Sequence, residues 1–426
     1  MKNTQEIKWS RMSENLYEKF AAELEDGIEM GAKISSGDQD IKYGIELWRN
    51  RLNKKNLGVA YDIVPRGLLS DSTNSREWKD EHYSNKMYHR SCRLNKSVYY
   101  EGKKIYSDGD NKIMYQTVTD VLNDVHVDED YYCCPNCGAN VKIAELVEGC
   151  PYCGTFFKMD ELYPKVSNYY FISDIGETGD ELKSEIWKTI WPMVAIFSVV
   201  FTTVFRFRNN NPSNSLLLSA IPGIFGGLFF GCILGYVLWV YKKLGKLFKE
   251  AGKSIVLLTN TAGSNKKFEN CMKKYSPEFS FEYFQSKVVS MIRVIVFSDN
   301  PEDLPFYTGD GINGCFDDII DMDFRGALAL RSIKEENGKI CAYADAYMIN
   351  AYVKNGKIKR KEEKINVVLE RKTDIPIDYG FSIKKIQCPG CAGSFDATKN
   401  RICPYCNNSY DIEDMDWIVK SIKVIK

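Results

Sequence analysis

Two apolar runs near the middle of the chain limit its fold more than any other feature. Ile186 to Phe205 is almost uninterrupted apolar sequence, and Ser215 to Tyr241 is a second run without a charged residue. At ~1.5 Å per residue, a helix of either length matches the ~30 Å hydrocarbon core of a bilayer. Lys188 lies near the end of the first run, where its ammonium can reach the headgroups. The link, Arg206 to Asn214, is short and polar, so the pair is expected to form a hairpin of transmembrane helices over residues 186–205 and 215–241. A pair of buried core helices is the alternative, and the length and proximity of the two runs weigh against it.

Positive charge is heaviest after the second run, at Lys242, Lys243, Lys246, Lys249 and Lys253, against Arg206 and Arg208 in the link. The positive-inside bias then predicts both termini in the cytoplasm. With Leu244, Leu247 and Phe248 these lysines form a basic amphipathic continuation that either rests on anionic headgroups or is simply solvated. Gly223, Gly227, Gly231 and Gly235 recur every four residues along one helix face. Such a groove admits a second helix closely, either from another copy of the chain or from the first span, whose Trp191, Phe197 and Phe201 are bulky enough to fill it. The second occupant is preferred.

The strongest chemical signal is cysteine spacing. Before the apolar runs stands Cys134-Pro-Asn-Cys137-Gly, then twelve residues, then Cys150-Pro-Tyr-Cys153-Gly. Near the carboxyl end the pattern returns as Cys388-Pro-Gly-Cys391, eleven residues, and Cys403-Pro-Tyr-Cys406. A Cys-x-x-Cys turn brings two thiolates to one point, and two such knuckles complete a tetrahedral sulfur site. Two zinc ribbons are expected, over residues 131–160 and 387–415, each holding one structural ion because four protein ligands leave no open position. Iron suits the same four sulfurs and stays open. In the second pair Ala392 and Asn407 stand where the first has glycine, and asparagine also tolerates left-handed backbone. Cys133, beside the first ligand, is left out of the set. Eight of fourteen cysteines in knuckles, with six scattered, suits metal binding in a reducing compartment better than a disulfide framework. A thiol oxidoreductase would need a strand-helix unit around a single Cys-x-x-Cys, so paired knuckles count against it.

The 426 residues allow two or three domains. Equal acidic and basic counts, 57 each, argue against a nucleic-acid binder. The polar start, Met1 to Asn15, lacks the apolar stretch of a cleaved signal peptide. Leu16, Phe20, Leu24 and Ile28 predict an amphipathic helix over Glu14 to Ile34 with its stripe in a core. Within residues 1–130 the stretch from Gly58 to Val125 mixes short β-type runs, such as Ser97 to Tyr100, with polar turns, a small mixed region of no recognisable type.

After the apolar runs, Ser276-Pro277 opens a helix on which Phe281, Phe284, Val288, Met291, Ile292 and Ile295 keep helical spacing until Asp299-Asn300-Pro301 stops it. The period then changes to two. Asn337-Gly338 and Asn355-Gly356 mark hairpin turns, with strands expected at Asp317 to Ile333, Lys339 to Val353, Ile358 to Arg371 and Ile377 to Ile386. The fold class expected is a multidomain α+β membrane protein: a two-helix transmembrane hairpin, a cone-like domain with a curved antiparallel sheet over residues 264–386, and two small zinc ribbons.

The stretch Phe279 to Leu304, the hairpins and the closing ribbon together resemble a bacterial Tim-forty-four-like domain, named after the inner-membrane anchor of the mitochondrial import motor and related to the nuclear-transport-factor-two-like cone. The resemblance covers Phe268 to Ile386, about a quarter of the chain, and rests on layout and helix pattern. It implies a non-enzymatic, membrane-associated adaptor with a pocket or partner-binding face; no chaperone-docking motif is present to carry the mitochondrial role across.

Other motifs read as structure. His82, His89 and His126 fall in no metal or catalytic pattern. Gly309-Asp-Gly311-Ile-Asn-Gly314 fits the dinucleotide string without its strand-turn-helix context and reads as a loop. Asp317, Asp318, Asp321 and Asp323 are a possible hard-cation cluster, with a solvated strand edge preferred. The functional expectation is a membrane-anchored zinc-binding scaffold with a protein partner, no turnover and no nucleic acid. The rival is an enzyme, or a small-molecule or lipid binder, using the α+β pocket with inward polar groups such as Asp345 and Tyr347.

Overall fold

The computed structural model describes residues 2–71, 77–79, 83–121, 131–133, 137, 139–142, 145, 149–155, 164–173, 179–208, 216–312, 314–354, 357–377, 382–390 and 394–425. They form two compact units, one of Met1–Ser173 with Asn260–Lys426, the other of Asp174–Thr259.

In the larger unit, α1 (Lys2–Met30) buries Tyr17, Phe20, Leu24 and Ile28, the expected stripe shifted by Tyr17 joining it. Gly31, at φ 75°, ends the helix, and the Ala32 N–H closes back on Asp26. Helix α2 (Gln39–Lys54) starts at Asp38, whose carboxylate caps the Ile41 N–H at 2.8 Å, and buries Ile41, Ile45, Trp48 and Leu52. A sheet follows: β1 (Leu57–Pro65), β4 (Tyr83–Tyr100), β5 (Lys103–Val121) and β8 (Lys165–Ser173) pair antiparallel in that order, with the short β2 (Ser70–Asp71) and β3 (Glu77–Lys79) also on β4. The region expected as short runs is thus a long meander, turned by Glu101 (φ 48°) and Gly102 (φ 77°).

The second half repeats this order. Helix α5 (Phe281–Phe297) is capped by Ser280 rather than Ser276 and buries all six residues of the predicted stripe. Then β9 (Ile319–Glu336), β10 (Lys339–Lys354), β11 (Lys357–Lys372) and β14 (Ile418–Ile425) pair in the order β14-β11-β10-β9. Asn337 (φ 53°) and Gly338 (φ 73°) turn β9 into β10 as expected, while Asn355 and Gly356 lie outside the described residues. The predicted fourth strand is a correction. Among the described residues of Ile377 to Ile386 none pairs with β11; Arg371 donates to the Ile375 carbonyl, turning the chain out of the sheet just before Pro376, which has no N–H for a ladder. The edge is completed by Ile418–Ile425, whose Ile418, Val419 and Ile422 face the core.

In both halves the cysteine knuckles are thus inserted between the last two strands of the sheet. In the first the insert contains β6 (Tyr131–Cys133) paired with β7 (Asn140–Lys142), and in the second β12 (Lys385–Gln387) paired with β13 (Ser394–Asp396). One hydrophobic core runs through both halves. Arg51 of α2 donates to the Val296 and Ser298 carbonyls at the end of α5 and to the Phe316 carbonyl, placing positive charge where the helix dipole is negative. Trp48 Nε1 donates to the Ile320 carbonyl at 2.6 Å. Strand β9 bulges at Gly326, whose φ of 77° and missing Cβ let Ile172 of β8 fill the space a Cβ would need.

The smaller unit is a helical hairpin of α3 (Gly179–Arg208) and α4 (Leu216–Met272) up to Thr259; the last turns of α4 belong to the larger unit, where Phe268 and Met272 are fully buried. Ile186–Arg208 and Ala220–Lys242 are long and apolar enough to cross a membrane. Gly223, Gly227, Gly231 and Gly235 lie against Thr202, Ser198, Val194 and Ile190, so close that a Cβ on Gly231 would be 2.5 Å from the Val194 Cα. The first helix therefore fills the groove, but with its small and β-branched residues. Of the bulky residues expected there, Phe201 lies against Gly226 rather than the four groove glycines and stacks on Phe230 at 5.2 Å, and Trp191 is exposed.

Candidate metal centres

The Cys-x-x-Cys turns fold locally because the backbone between the sulfurs must curl so that its own N–H groups face them. The Gly390 N–H points at Cys388 Sγ at 3.3 Å and the Tyr405 N–H at Cys403 Sγ at 3.4 Å. The second knuckle of each pair is built alike. The Cys150 N–H donates to the Thr155 carbonyl and the Gly154 N–H to the Cys150 carbonyl; the Cys403 N–H donates to Asn408 and the Asn407 N–H to Cys403. Gly154 and Asn407 hold the same left-handed position, at φ 70° and 58°.

Cys137, Cys150 and Cys153 bring their sulfurs within 4.8 Å of one another, and so do Cys388, Cys403 and Cys406. Cys137 and Cys150 stand 3.7 Å apart, Cys388 and Cys406 3.6 Å. A tetrahedron with metal–sulfur bonds of ~2.3 Å has edges of ~3.8 Å, whereas a disulfide needs ~2.0 Å. The thiols therefore fit a metal ion, and each triad can hold one. Cys134 and Cys391, the remaining expected ligands, lie outside the described residues. Cys153 Sγ is also 3.1 Å from the Thr155 hydroxyl. Cys92, Cys232, Cys271, Cys315 and Cys341 form no disulfide.

The acidic cluster divides. Asp317 and Asp318 are exposed, but Asp321 and Asp323 are not a solvated edge: both are largely buried and clamp Lys96 of β4, at 2.9 and 2.6 Å. Arg360 of β11 joins Asp323 at 2.5 Å to Asp108 at 2.8 Å. Burial alone would lower the Lys96 pKa, yet Asp321 and Asp323 hold it well above its ordinary value; burial alone would raise Asp323, yet Lys96 and Arg360 hold it below. Asp345 is buried and engaged by Arg331 and Asn366. The glycine string of 309–314 is followed by a strand, not a helix. His89 stacks on Tyr115, and His82 and His126 lie outside the described residues.

Sequence spacing found both thiol groups. It missed Asp40, Lys96, Arg293 and Arg360, whose partners lie far along the chain. No family model, curated protein or solved structure matches this chain.

Proposed function

We propose that the chain is a membrane-anchored zinc-binding scaffold that presents a double-sheet domain to a protein partner at the cytoplasmic face of a bacterial membrane. The observation that carries this reading is the repeated insertion of a thiol knuckle pair between the last two strands of each sheet, in a chain that also holds an apolar hairpin. With Cys134 and Cys391 as fourth ligands both ions are coordinatively closed, which favours a stapling role over catalysis.

The membrane assignment is supported by surface chemistry. Trp187, Val199, Val204, Phe225 and Phe229 are all exposed, an apolar surface that water does not support and lipid does. Because Gly235 meets Ile190, Trp187 and Trp191 share one end of the hairpin with Tyr236, Trp239 and Tyr241, as in an interfacial aromatic belt. The lysines after the second span lie beyond this end, which favours cytoplasmic termini. The Tim-forty-four-like resemblance of the second half agrees with an adaptor role.

Cross-linking in intact membranes followed by affinity capture of the full chain tests the reading. A recurrent protein partner is expected, and repeated capture of none would sink it. Elemental analysis of reduced, detergent-purified protein is expected to find about two zinc ions per chain.

A further inference from the structure

The two sulfur triads differ in what an oxidant's attack would have to move. In the first, Cys137 is exposed, Cys153 half-buried and Cys150 buried. Cys150 and Cys153 lie, with Val141 and Ala139, against the buried Trp78, Tyr83 and Met87. The pairing of Trp78 with Asn85 puts that ring on the same face of the first sheet as Tyr83 and Met87. Two candidate ligands are thus themselves the cover of a small apolar patch apart from the main core. In the second triad Cys406 is exposed as well, but Cys388 and Cys403 are built into the main core beside Phe395 and Ala397. Thiolate sulfur is the metal ligand and also the nucleophile, and its oxidation follows exposure, so a peroxide meets Cys137 and Cys406 first. To finish a disulfide, the sulfurs must close from 3.7 Å between Cys137 and Cys150, or 3.6 Å between Cys388 and Cys406, to ~2.0 Å. Drawing Cys150 outward disturbs only the satellite patch, whereas drawing Cys388 outward disturbs the core shared by both halves.

We propose that the first triad is a site of reversible oxidation by hydrogen peroxide, in which a Cys137–Cys150 disulfide forms, the metal ion is given up and Trp78 and Met87 are uncovered, while the second triad resists. The Cys137 sulfur attacks one peroxide oxygen; the O–O bond breaks, and the departing hydroxide takes a proton and becomes water, leaving a sulfenic acid. The Cys150 sulfur attacks the Cys137 sulfur; the S–O bond breaks, and the second hydroxide is protonated to water. The two sulfurs together lose two electrons, and one peroxide with two protons becomes two waters. The inference rests on the zinc part of the reading above and not on the partner.

The test treats full-length, zinc-loaded protein in mild detergent with hydrogen peroxide while a chromophoric chelator reads the released ion. One zinc per chain is expected to leave at least about tenfold faster than the other, and a dithiol with added zinc should restore it. Peptide mapping after alkylation is expected to find the Cys137–Cys150 disulfide, with Cys388, Cys403 and Cys406 still reduced. Hydroxyl-radical footprinting, once the peroxide is removed, should label Trp78 and Met87 more strongly and leave the fully buried Met114 of the main core unchanged. Equal release of both ions, oxidation of the second triad first, a first-triad disulfide without Cys150, or unchanged labelling of Trp78 and Met87 overturns the proposal. Protein that binds no metal overturns the zinc reading with it, whereas two bound ions that leave together overturn this inference alone.

Discussion

Cys150 and Cys403 occupy the same place in the same turn, yet their surroundings differ. Cys150 packs with Val141 on a satellite cluster made by Trp78, Tyr83 and Met87, apart from the main core. Cys403 is fully buried and, with Cys388, Phe395 and Ala397, forms part of the core that runs through both halves. The second knuckle region is also tied to the opposite half, since Asp40 of α2 accepts from Ser382, Ile383 and Lys384. One local motif can thus be an appendage in one sheet and a cornerstone in the other, because the turn fixes the sulfurs and the packing decides what falls with them.

The largest expected effect tests this contrast directly. Apparent binding energies of structural zinc reach about 10 kcal/mol or more, so Cys403→Ser should prevent folding or lower the melting temperature by more than about 10 °C. Cys150→Ser should also lose one ion per chain but leave the main unfolding transition within about 3 °C of wild type. Metal content and thermal scans together read both, and equal destabilisation would erase the distinction between the two seats.

A smaller effect concerns the tether. Burial raises the Asp38 and Asp40 carboxyls, opposed at Asp40 by its hydrogen bonds to Ser382, Ile383 and Lys384. The folded chain then holds protons the unfolded chain has released, so stability from this pair falls as pH rises from the ordinary carboxylate range through the raised folded values. Asp323, lowered, works in the opposite sense: its contribution is present above the ordinary carboxylate value and is lost as pH falls through the depressed one. Asp40→Asn should cost about 1–3 kcal/mol and shrink the loss of melting temperature as pH rises above the ordinary carboxylate range. An unchanged pH profile would remove Asp40 as the titrating tether.

The halves also differ where they meet. Strand β1 pairs with β4 without a break, whereas β9 bulges. Gly326→Ala places a Cβ against Ile172 at positive φ and should cost about 1–3 kcal/mol by denaturant titration. A neutral result would mean that β8 and β9 do not need this close approach. The smallest effect sharpens the similarity of the turns: Asn407→Gly should stay within about 0.5 kcal/mol of wild type in stability and leave two ions bound, because both residues accept left-handed backbone.

Much of the local structure was legible in the residues. The α1 stripe, the α5 stripe, the Asn337-Gly338 turn and the thiol spacing each depend on side chains within a few positions of one another. Helix α2 is equally legible, with Ile41, Ile45, Trp48 and Leu52 at helical spacing after Asp38. The β4–β5 meander was hidden for a different reason: polar residues such as Asn85, Lys96, Gln116 and Thr119 occupy its buried face and break the alternation that marks a strand. The fourth strand of the second sheet was misplaced because either apolar run could have completed the edge, and only the turn at Arg371 excludes the first.

By itself, the sequence determined the α1 and α5 stripes, the Asn337-Gly338 turn, where sulfur converges and which runs are apolar enough for lipid, because these follow from backbone geometry and side-chain period over a few residues. Only the tertiary structure decided that the two halves share one strand order, that Lys96 meets Asp321 across 225 positions, and that one knuckle pair is embedded where the other is peripheral. Such pairings follow from how whole sheets and helices pack, and no short window of residues carries that information.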